Sequence, residues 1–335
     1  MMELFDSHAH YNDEKFDEDR EQLIKDTYDS GITKFIVAGY DIESSKKAIE
    51  IAKKYDFTYT IIGISPNDIP QSNTELWINI EKIEQIYHEN SGTKIVAIGE
   101  IGLDYYWNKE NKELQKDAFI KQIELANKLK LPIVIHSRDA SVDTIQILKE
   151  HEVNKRGIFH CCQLNQELVR QALELGYYIS FAGSITFKNS KNATEAISLV
   201  PIDRILVETD SPYLAPEPKR GTRNDSSNVI YMIKKIAEVK NVPEEQVAHA
   251  TYNNAIKIFK INANWYINWR FFKLYTDCEI TVHYDIYLLK STLTFFLASW
   301  LSTSNKFSGV KWNIDAIIFE GNFSSSVLYF VTESL

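Results

Sequence analysis

Short β-rich runs alternate with longer amphipathic stretches along the first 262 residues of this 335-residue chain, and this alternation constrains the fold more than any other feature. Most of the runs are apolar throughout, as strands of a parallel sheet covered by helices are. The candidate strands are residues 4–6, 34–38, 59–64, 95–99, 132–136, 157–160, 177–181 and 204–208. Stretches typical of amphipathic helices include residues 14–30, 43–55, 114–129 and 165–175. Eight strands that alternate with helices predict an α/β protein of the (β/α)8 TIM barrel type, and a doubly wound open sheet is the alternative.

The composition changes after about residue 261. Residues 263–335 contain 17 of the 41 aromatic residues but only 11 of the 83 charged residues, and they contain no proline. No clear helical or strand period runs through them. We therefore expect a barrel domain over residues 1–262 and an atypical aromatic-rich extension over residues 263–335. A small accessory domain and a non-native extension, such as read-through of AT-rich DNA, both remain open for this segment.

Charge, cysteine usage and hydropathy indicate the broad class of protein. The net charge of −9 provides no global basic field, so any contact with nucleic acid depends on local patches. The first ten residues lack a signal-peptide pattern, and the three cysteines show no CxxC spacing. The longest apolar run, residues 286–301, is shorter than the roughly 20 residues that a membrane-spanning helix needs. We expect a cytoplasmic, soluble protein with free thiols and no obligate protein partner.

Metal-type side chains recur at or just after the ends of the candidate strands. His8 and His10 close the first strand, and residues two apart on a strand face the same way. The fourth, fifth, sixth and eighth strands are followed or ended by Glu100, His136, His160 and Asp210. The carboxyl ends of barrel strands form the rim where barrel enzymes build their active sites. An HxH pair alone is a moderate signal, but six such residues on one rim predict a metal centre.

The number of candidate ligands indicates how many ions the site holds. A catalytic zinc uses about three protein ligands plus water, so four imidazoles and two carboxylates suit a pair of divalent ions. Paired ions can hold the attacking water and the leaving oxygen of an in-line displacement. Glu100, central in the strand order, is the candidate bridge between the ions. Asp210 could bind one ion and also accept the proton of the attacking water.

Several segments resemble the TatD family of metal-dependent deoxyribonucleases, nearly end to end over residues 1–262. The resemblance lies in residues 6–10, 99–106, 131–140, 159–161, 179–188 (ISFAGSITFK) and 206–216 (LVETDSPYLAP). It implies a metallo-dependent hydrolase barrel and DNase activity, often exonucleolytic, with magnesium, manganese or zinc. It places one ion on His8, His10, Glu100 and Asp210, and the second on Glu100, His136 and His160.

The chain departs from the family pattern at three places. Many members have His-Pro after the third strand, where this chain has Ser65-Pro66. The usual Phe-Ser-Gly after His160-Cys161 is replaced by residues 162–164, and residues 225–226 stand where Glu-Pro or Thr-Pro is common. None of these changes removes a metal ligand. The serine at position 65 does put in doubt any substrate contact made by the family's histidine.

Basic and aromatic residues near the predicted rim are candidates for contacts with substrate. We expect three arginines to hold phosphates of a DNA substrate: Arg138, Arg220 and Arg223. Solvated surface charge is an equally good interpretation of any one of them. Residues 105–107, Tyr-Tyr-Trp, could stack a base, and core packing is the alternative for these aromatics.

Two other functions remain as alternatives. One is amidohydrolase-type hydrolysis of a small ester, amide or phosphotriester on the same scaffold. Related barrels often bridge their ions with a carboxylated lysine on the fourth strand, where this chain offers Glu100. The other is a binding protein without catalysis, which we would expect to have lost ligands. The sequence therefore favours a metal-dependent nuclease.

Overall fold

The computed structural model describes residues 2–90, 92 and 94–261, and the backbone of residues 282–284, 317–320 and 326–330. The chain divides into two compact units, Met1–Ala263 and Asn264–Leu335. Most of the predicted extension, residues 263–335, thus lies outside the described residues.

Eight strands of the first unit alternate with helices in the predicted order. The strands are β1 (Leu4–Ala9), β2 (Ile32–Ala38), β3 (Thr58–Ile62), β4 (Ile95–Asp104), β5 (Ile133–Arg138), β6 (Gly157–Phe159), β7 (Tyr178–Phe181) and β8 (Ile205–Val207). The helices are α1 (Arg20–Asp29), α2 (Ile42–Lys54), α3 (Asn73–Glu89), α4 (Lys112–Leu129), α5 (Ser141–Glu150), α6 (Gln166–Glu174), α7 (Ala193–Leu199), α8 (Val229–Lys240) and α9 (Glu244–Ile258).

The strands form one parallel sheet in sequence order, and this order confirms the predicted TIM barrel. The carboxyl end of β1 is hydrogen-bonded to the residues that follow β8. The backbone N–H of Asp210 donates to the carbonyl of His8 at 2.9 Å, and that of His10 donates to the carbonyl of Ser211 at 2.7 Å. The open-sheet alternative is therefore wrong, and the closing bonds place two predicted metal-site segments side by side.

Helix starts follow from local capping as well as from apolar periodicity. Asp41 accepts a hydrogen bond from the backbone N–H of Ser44 at 2.7 Å and begins α2 in a reciprocal capping box. Ser72 and Asn165 cap α3 and α6 in the same general way. These caps satisfy N–H groups that a helix end otherwise leaves without a partner.

Two apolar clusters stabilise the barrel. The larger cluster lies between the strands and the surrounding helices. The smaller one takes inward-facing residues from all eight strands, including Phe5 and Leu206, and adds Phe259 and Ile261 from the end of α9 and the residues after it. Asn254 of α9 donates to the carbonyls of Ile202 and Ile205, just before and at the start of β8. Helix α9 therefore covers the amino-terminal end of the barrel, opposite the rim.

Most predicted element boundaries differ from the structure by one to three residues, and two differ by more. Strand β4 continues to Asp104, because its second half pairs with β5 as far as Arg138. The predicted helix over residues 14–30 is a short 3-10 turn, Glu14–Phe16, followed by α1. The Asp13 side chain accepts from Lys15 N and supports this separate turn.

The second unit contributes three described strands: β9 (Val282–Tyr284), β10 (Ile317–Glu320) and β11 (Ser326–Phe330). They pair antiparallel in the order β10-β11-β9. Among the described residues of the whole chain, no helix is both long and apolar enough to cross a membrane.

Candidate metal centre

The six predicted ligands converge at the carboxyl rim of the barrel. His8 lies in β1, His10 follows this strand directly, and His136 lies in β5. His160 and Asp210 follow β6 and β8 directly or within a few residues. Their atoms form two groups in which each residue offers one ligand atom within 4.8 Å of the others: His8, His10 and Asp210, and Glu100, His136 and His160.

The first group is built on β1 and the segment after β8. The Nε2 atoms of His8 and His10 are 3.2 Å apart, so both imidazoles present the same ring nitrogen to one point. Asp210 Oδ1 lies 3.2 Å from His10 Nε2 and 3.8 Å from His8 Nε2. Two imidazoles and one carboxylate thus face a common space.

The second group is built on β4, β5 and the residue after β6. His136 Nδ1 lies 2.7 Å from Glu100 Oε1, and His160 Nε2 lies 3.2 Å from the same oxygen. His136 Nδ1 and His160 Nε2 are 3.1 Å apart. The two imidazoles therefore face one another with the Glu100 carboxylate between them.

Glu100 connects the two groups. Its second oxygen, Oε2, lies 3.4 Å from His8 Nε2 and 3.9 Å from His10 Nε2. The sequence pattern placed Glu100 after the fourth strand, and the structure corrects this, because Glu100 lies within the longer β4. The β4–β5 register shifts between Ile98 and Ile101, and such an irregularity re-aims a side chain.

Burial and charge act against each other in the cluster. Burial raises the pKa of Glu100, but the charge of His160 and hydrogen bonds with the nearby imidazoles lower it more, so the net pKa lies well below its usual value. Burial also raises the pKa of Asp210, and the His10 hydrogen bond and charge bring it down to about 2. Both carboxylates are therefore ionised at neutral pH, as metal ligands must be.

The imidazoles respond to the same environment. Burial lowers the pKa of His160, but the charge of Glu100 raises it well above its usual value. His8 has a lowered pKa, because burial and the charge of His160 both disfavour its protonated form. Buried imidazoles and carboxylates at these distances match the donor set of divalent zinc and similar cations. The residues present therefore fit a metal centre.

Asp104 is a residue of the site that sequence reasoning missed. Its Oδ2 accepts a hydrogen bond from His136 Nε2 at 3.0 Å. The other ring nitrogen, Nδ1, therefore faces Glu100 and His160. Its Oδ1 accepts from the backbone N–H groups of Tyr106 and Trp107 at 2.9 Å each. Carboxylates that fix the tautomer of a metal-binding imidazole in this way are common. The signal available in sequence was the acidic residue at the end of the same run as Glu100.

Glu208 is a second missed residue. It is fully buried behind the imidazoles, with Oε1 3.4 Å from His160 Nδ1, and it accepts from the backbone N–H of Cys161. The rings of His8 and His160 stack with centroids 4.1 Å apart, and His8, His160 and Glu208 form a third group with ligand atoms within 4.8 Å of one another. The carboxylate is placed to orient the ring whose opposite nitrogen, Nε2, faces Glu100.

Asp6 links the first strand, β1, to the segment that follows the last strand, β8. Its carboxylate accepts hydrogen bonds from the backbone N–H and the hydroxyl of Thr209, and from the hydroxyl of Ser226 at 2.6 Å. It also accepts from the backbone N–H of His8. Because Thr209 precedes Asp210, this network fixes Asp210 relative to His8.

The three predicted phosphate-binding arginines occupy different surroundings. Arg138 lies at the end of β5 with its guanidinium carbon 4.0 Å from the centre of the Tyr106 ring. The guanidinium carbon of Arg220 lies 3.7 Å from the centre of the Phe187 ring. Arg223 forms an ion pair with Asp19 and donates to the carbonyl of Lys15 at 2.7 Å. Arg138 thus lies on the same strand as the candidate ligand His136, two residues after it, and pairs with Asp104 of β4. Arg223, in contrast, already has a carboxylate partner within the protein.

The serine at position 65 has a structural role in its loop. Ser65 is buried and donates to Asp68 Oδ2 at 2.6 Å. Asn67 of the same loop donates to Asp104 Oδ2 at 3.3 Å. The loop after β3 therefore supports the acidic residue behind His136, although it contributes no imidazole to the site.

Comparison with known proteins gives the family. The family described as TatD related DNase matches residues 5–260. The chain belongs to the TatD-related DNase family. It is 42% identical over 262 residues to YabD of Bacillus subtilis, called an uncharacterized metal-dependent hydrolase, and this match covers 77% of the chain and all of that relative. Membership confirms the resemblance seen in the sequence and makes the chain a metal-dependent hydrolase.

Solved structures support the same fold. YJJV, a TatD homolog of Escherichia coli K12, superposes with a TM-score of 0.72 at 25% identity, over 77% of this chain and 98% of that one. An organophosphorus hydrolase of Deinococcus radiodurans superposes with a TM-score of 0.56 at 12% identity, over 77% of this chain and 93% of that one. The second likeness is at the level of the barrel alone.

Proposed function

We propose that this TatD-family hydrolase is a deoxyribonuclease that cleaves phosphodiester bonds of DNA with two divalent cations, Mg²⁺, Mn²⁺ or Zn²⁺. The observation that carries the proposal is the position of Glu100, whose two oxygens face separate groups of ligands. His8, His10 and Asp210 with Glu100 would hold one cation. His136 and His160 with Glu100 would hold the other.

The bound cations would lower the pKa of the attacking water and neutralise charge on the phosphoryl oxygens. Asp210 is the carboxylate suited to accept the proton of that water. Its side chain is 17% exposed, whereas that of Glu100 is 9% exposed, so Asp210 is the more open to the rim. Asp104 and Glu208 keep the imidazoles oriented, and Arg138 at the rim would bind a phosphate of the strand.

The test is hydrolysis of DNA by reconstituted protein. Chelator-treated full-length protein is loaded separately with each of the three metals and incubated with single- and double-stranded DNA labelled at either end, and products are resolved by length. We expect close to two divalent ions per chain by elemental analysis, and cleavage that chelator abolishes. Glu100→Gln should lose about 100-fold or more of the activity, because one substitution weakens both ligand groups.

A matched control is Glu124→Gln, an exposed glutamate on α4, which should cleave at the wild-type rate. The same preparations are assayed with a phosphotriester and a lactone. Hydrolysis of either compound without cleavage of any DNA would contradict the proposal and favour an amidohydrolase-type activity. One tightly bound ion with full activity would contradict the two-cation arrangement.

A further inference from the structure

Large apolar side chains are exposed on the rim of the barrel. Among the described residues of the first unit, six large hydrophobic residues are at least 45% exposed, and four of them lie after strand ends: Tyr106, Trp107, Val142 and Tyr213. Tyr106 and Trp107 are adjacent, directly after β4, and are 48% and 68% exposed. Neighbouring exposed aromatics beside a catalytic centre are a feature that folding does not require.

The aromatic pair has an ordered geometry. The Tyr106 and Trp107 rings are nearly perpendicular, at 88°, with centroids 4.8 Å apart. The guanidinium carbon of Arg138 lies 4.0 Å from the centre of the Tyr106 ring and 5.4 Å from that of Trp107. The cation therefore contacts Tyr106 most closely, while most of the Trp107 side chain remains open to solvent. Tyr105 points inward and is buried, so core packing is the correct interpretation for that residue only.

One carboxylate fixes the pair next to the metal centre. Asp104 binds the backbone N–H groups of Tyr106 and Trp107 through one oxygen and His136 through the other. The backbone of Trp107 is thus held by the same side chain that contacts His136, a predicted metal ligand.

We propose that Trp107, with Tyr106 and Arg138, is a stacking platform for an unpaired nucleobase adjacent to the scissile phosphodiester. The proposal rests on the proposed nuclease function and specifies the part of the substrate that is recognised. Every base offers a π-face, so stacking is tolerant of sequence, and Arg138 can contact the neighbouring phosphate. A base inside a duplex is already stacked, so the platform selects single strands and frayed ends.

The size and charge of the surface favour a base over a protein partner. Two adjacent aromatic side chains provide far less than the roughly 800 Å² per partner of a stable protein interface. The guanidinium of Arg138 lies over the Tyr106 ring, whereas Lys112 Nζ lies 4.4 Å from the centre of the buried Tyr105 ring, whose hydroxyl donates to Asp143. A guanidinium beside an exposed aromatic ring is suited to a nucleic acid strand.

The test asks whether the effect of removing the Trp107 indole depends on the presence of a base in the substrate. Full-length wild-type protein, Trp107→Ala and Trp107→Phe are compared on a single-stranded oligonucleotide and on versions with one abasic residue stepped along the nucleotides nearest the cleaved end. Trp107→Ala should lower kcat/KM about tenfold on the intact strand, whereas Trp107→Phe should retain most of the activity. At one abasic position the loss should shrink to within about twofold, because the two changes remove the same contact.

The control is Tyr28→Ala, which removes an exposed aromatic on α1, away from the rim. Equal losses on intact and abasic strands at every position would overturn the platform, because Trp107 would then act structurally. Unchanged kinetics together with an altered oligomeric state in Trp107→Ala would also overturn it, in favour of a protein partner. Absence of DNA cleavage by the wild type in all metals would instead refute the underlying nuclease function.

Discussion

Replacing Asp104 with asparagine should weaken binding of a cation by Glu100, His136 and His160 without unfolding the site. The amide oxygen can still accept from the backbone N–H groups of Tyr106 and Trp107, which now donate to Asp104 Oδ1. The amide NH2 would then face His136 Nε2, which lies 3.0 Å from the present carboxylate oxygen. Because two donors cannot share that contact, His136 would turn to the tautomer that carries its proton on Nδ1. That nitrogen is the one facing Glu100.

The expected magnitude follows from the bond that is lost. A hydrogen bond to a charged group contributes about 1.5–3 kcal/mol. At about 1.4 kcal/mol for each factor of ten, the affinity of the group containing Glu100, His136 and His160 should fall roughly 10- to 100-fold. The group containing His8, His10 and Asp210 has no contact with Asp104 among the described interactions and should be little affected.

Calorimetric titration of Mn²⁺ or Zn²⁺ into chelator-treated protein separates the two affinities. Asp143→Asn is the matched control, because Asp143 is a rim carboxylate that binds Tyr105 and Lys116 rather than an imidazole. Thermal unfolding in chelator checks that both variants fold. If Asp104→Asn binds both cations as tightly as the wild type, or weakens both equally, the tautomer argument is wrong.

Three further predictions follow from the site and its surroundings. Because the pKa of His160 is raised, its protonated form is favoured in the metal-free protein. Metal binding should therefore release protons, and the metal affinity should fall as the pH falls. Calorimetric titrations in buffers of different ionisation enthalpy measure the number of protons released. Replacing both Arg220 and Arg223 with alanine should raise the KM for DNA and flatten its salt dependence, measured from 50 to 200 mM salt (roughly the range over which phosphate contacts are lost). A chain that ends after residue 262 should fold, bind metal and cleave DNA about as well as the full chain, because α9 already covers the amino-terminal end of the barrel.

Each of these predictions has an outcome that contradicts it. Metal binding that releases no protons at neutral pH would show that His160 is already neutral. The control is the double variant Lys121→Ala, Lys128→Ala on α4; if its salt dependence equals that of the arginine double variant, the two arginines are ordinary surface charges. Because Arg223 is paired with Asp19, Arg220→Ala is the more informative single variant. An unfolded or inactive truncated chain would show that the barrel needs residues beyond 262.

The candidate ligands could be chosen from the sequence because each lies in or just after an apolar run whose strand identity is a local property. His8, Glu100 and Asp210 could be placed on one rim before any distance was known, since parallel strands end on the same side of a barrel. Their division into two groups was implied only by resemblance to the family. The structure brings the same residues within ligand distance in that division.

The roles of Asp104 and Glu208 could not be predicted in the same way. Whether a carboxylate orients an imidazole depends on which ring nitrogen it faces, and that is set by contacts between residues far apart in sequence. Asp104 meets His136 across the β4–β5 pairing, and Glu208 meets His160 from behind. The Arg223–Asp19 pair joins positions 204 apart and is equally invisible to local patterns.

The helix across the foot of the barrel has a consequence for a polymeric substrate. The interior is filled by side chains from all eight strands, and α9 closes the end away from the metal centre, so the barrel has a single mouth. The interior of such a barrel is a packed core and not a pore. If the protein cleaves DNA as proposed, the strand must therefore approach, and both products must leave, along the carboxyl rim.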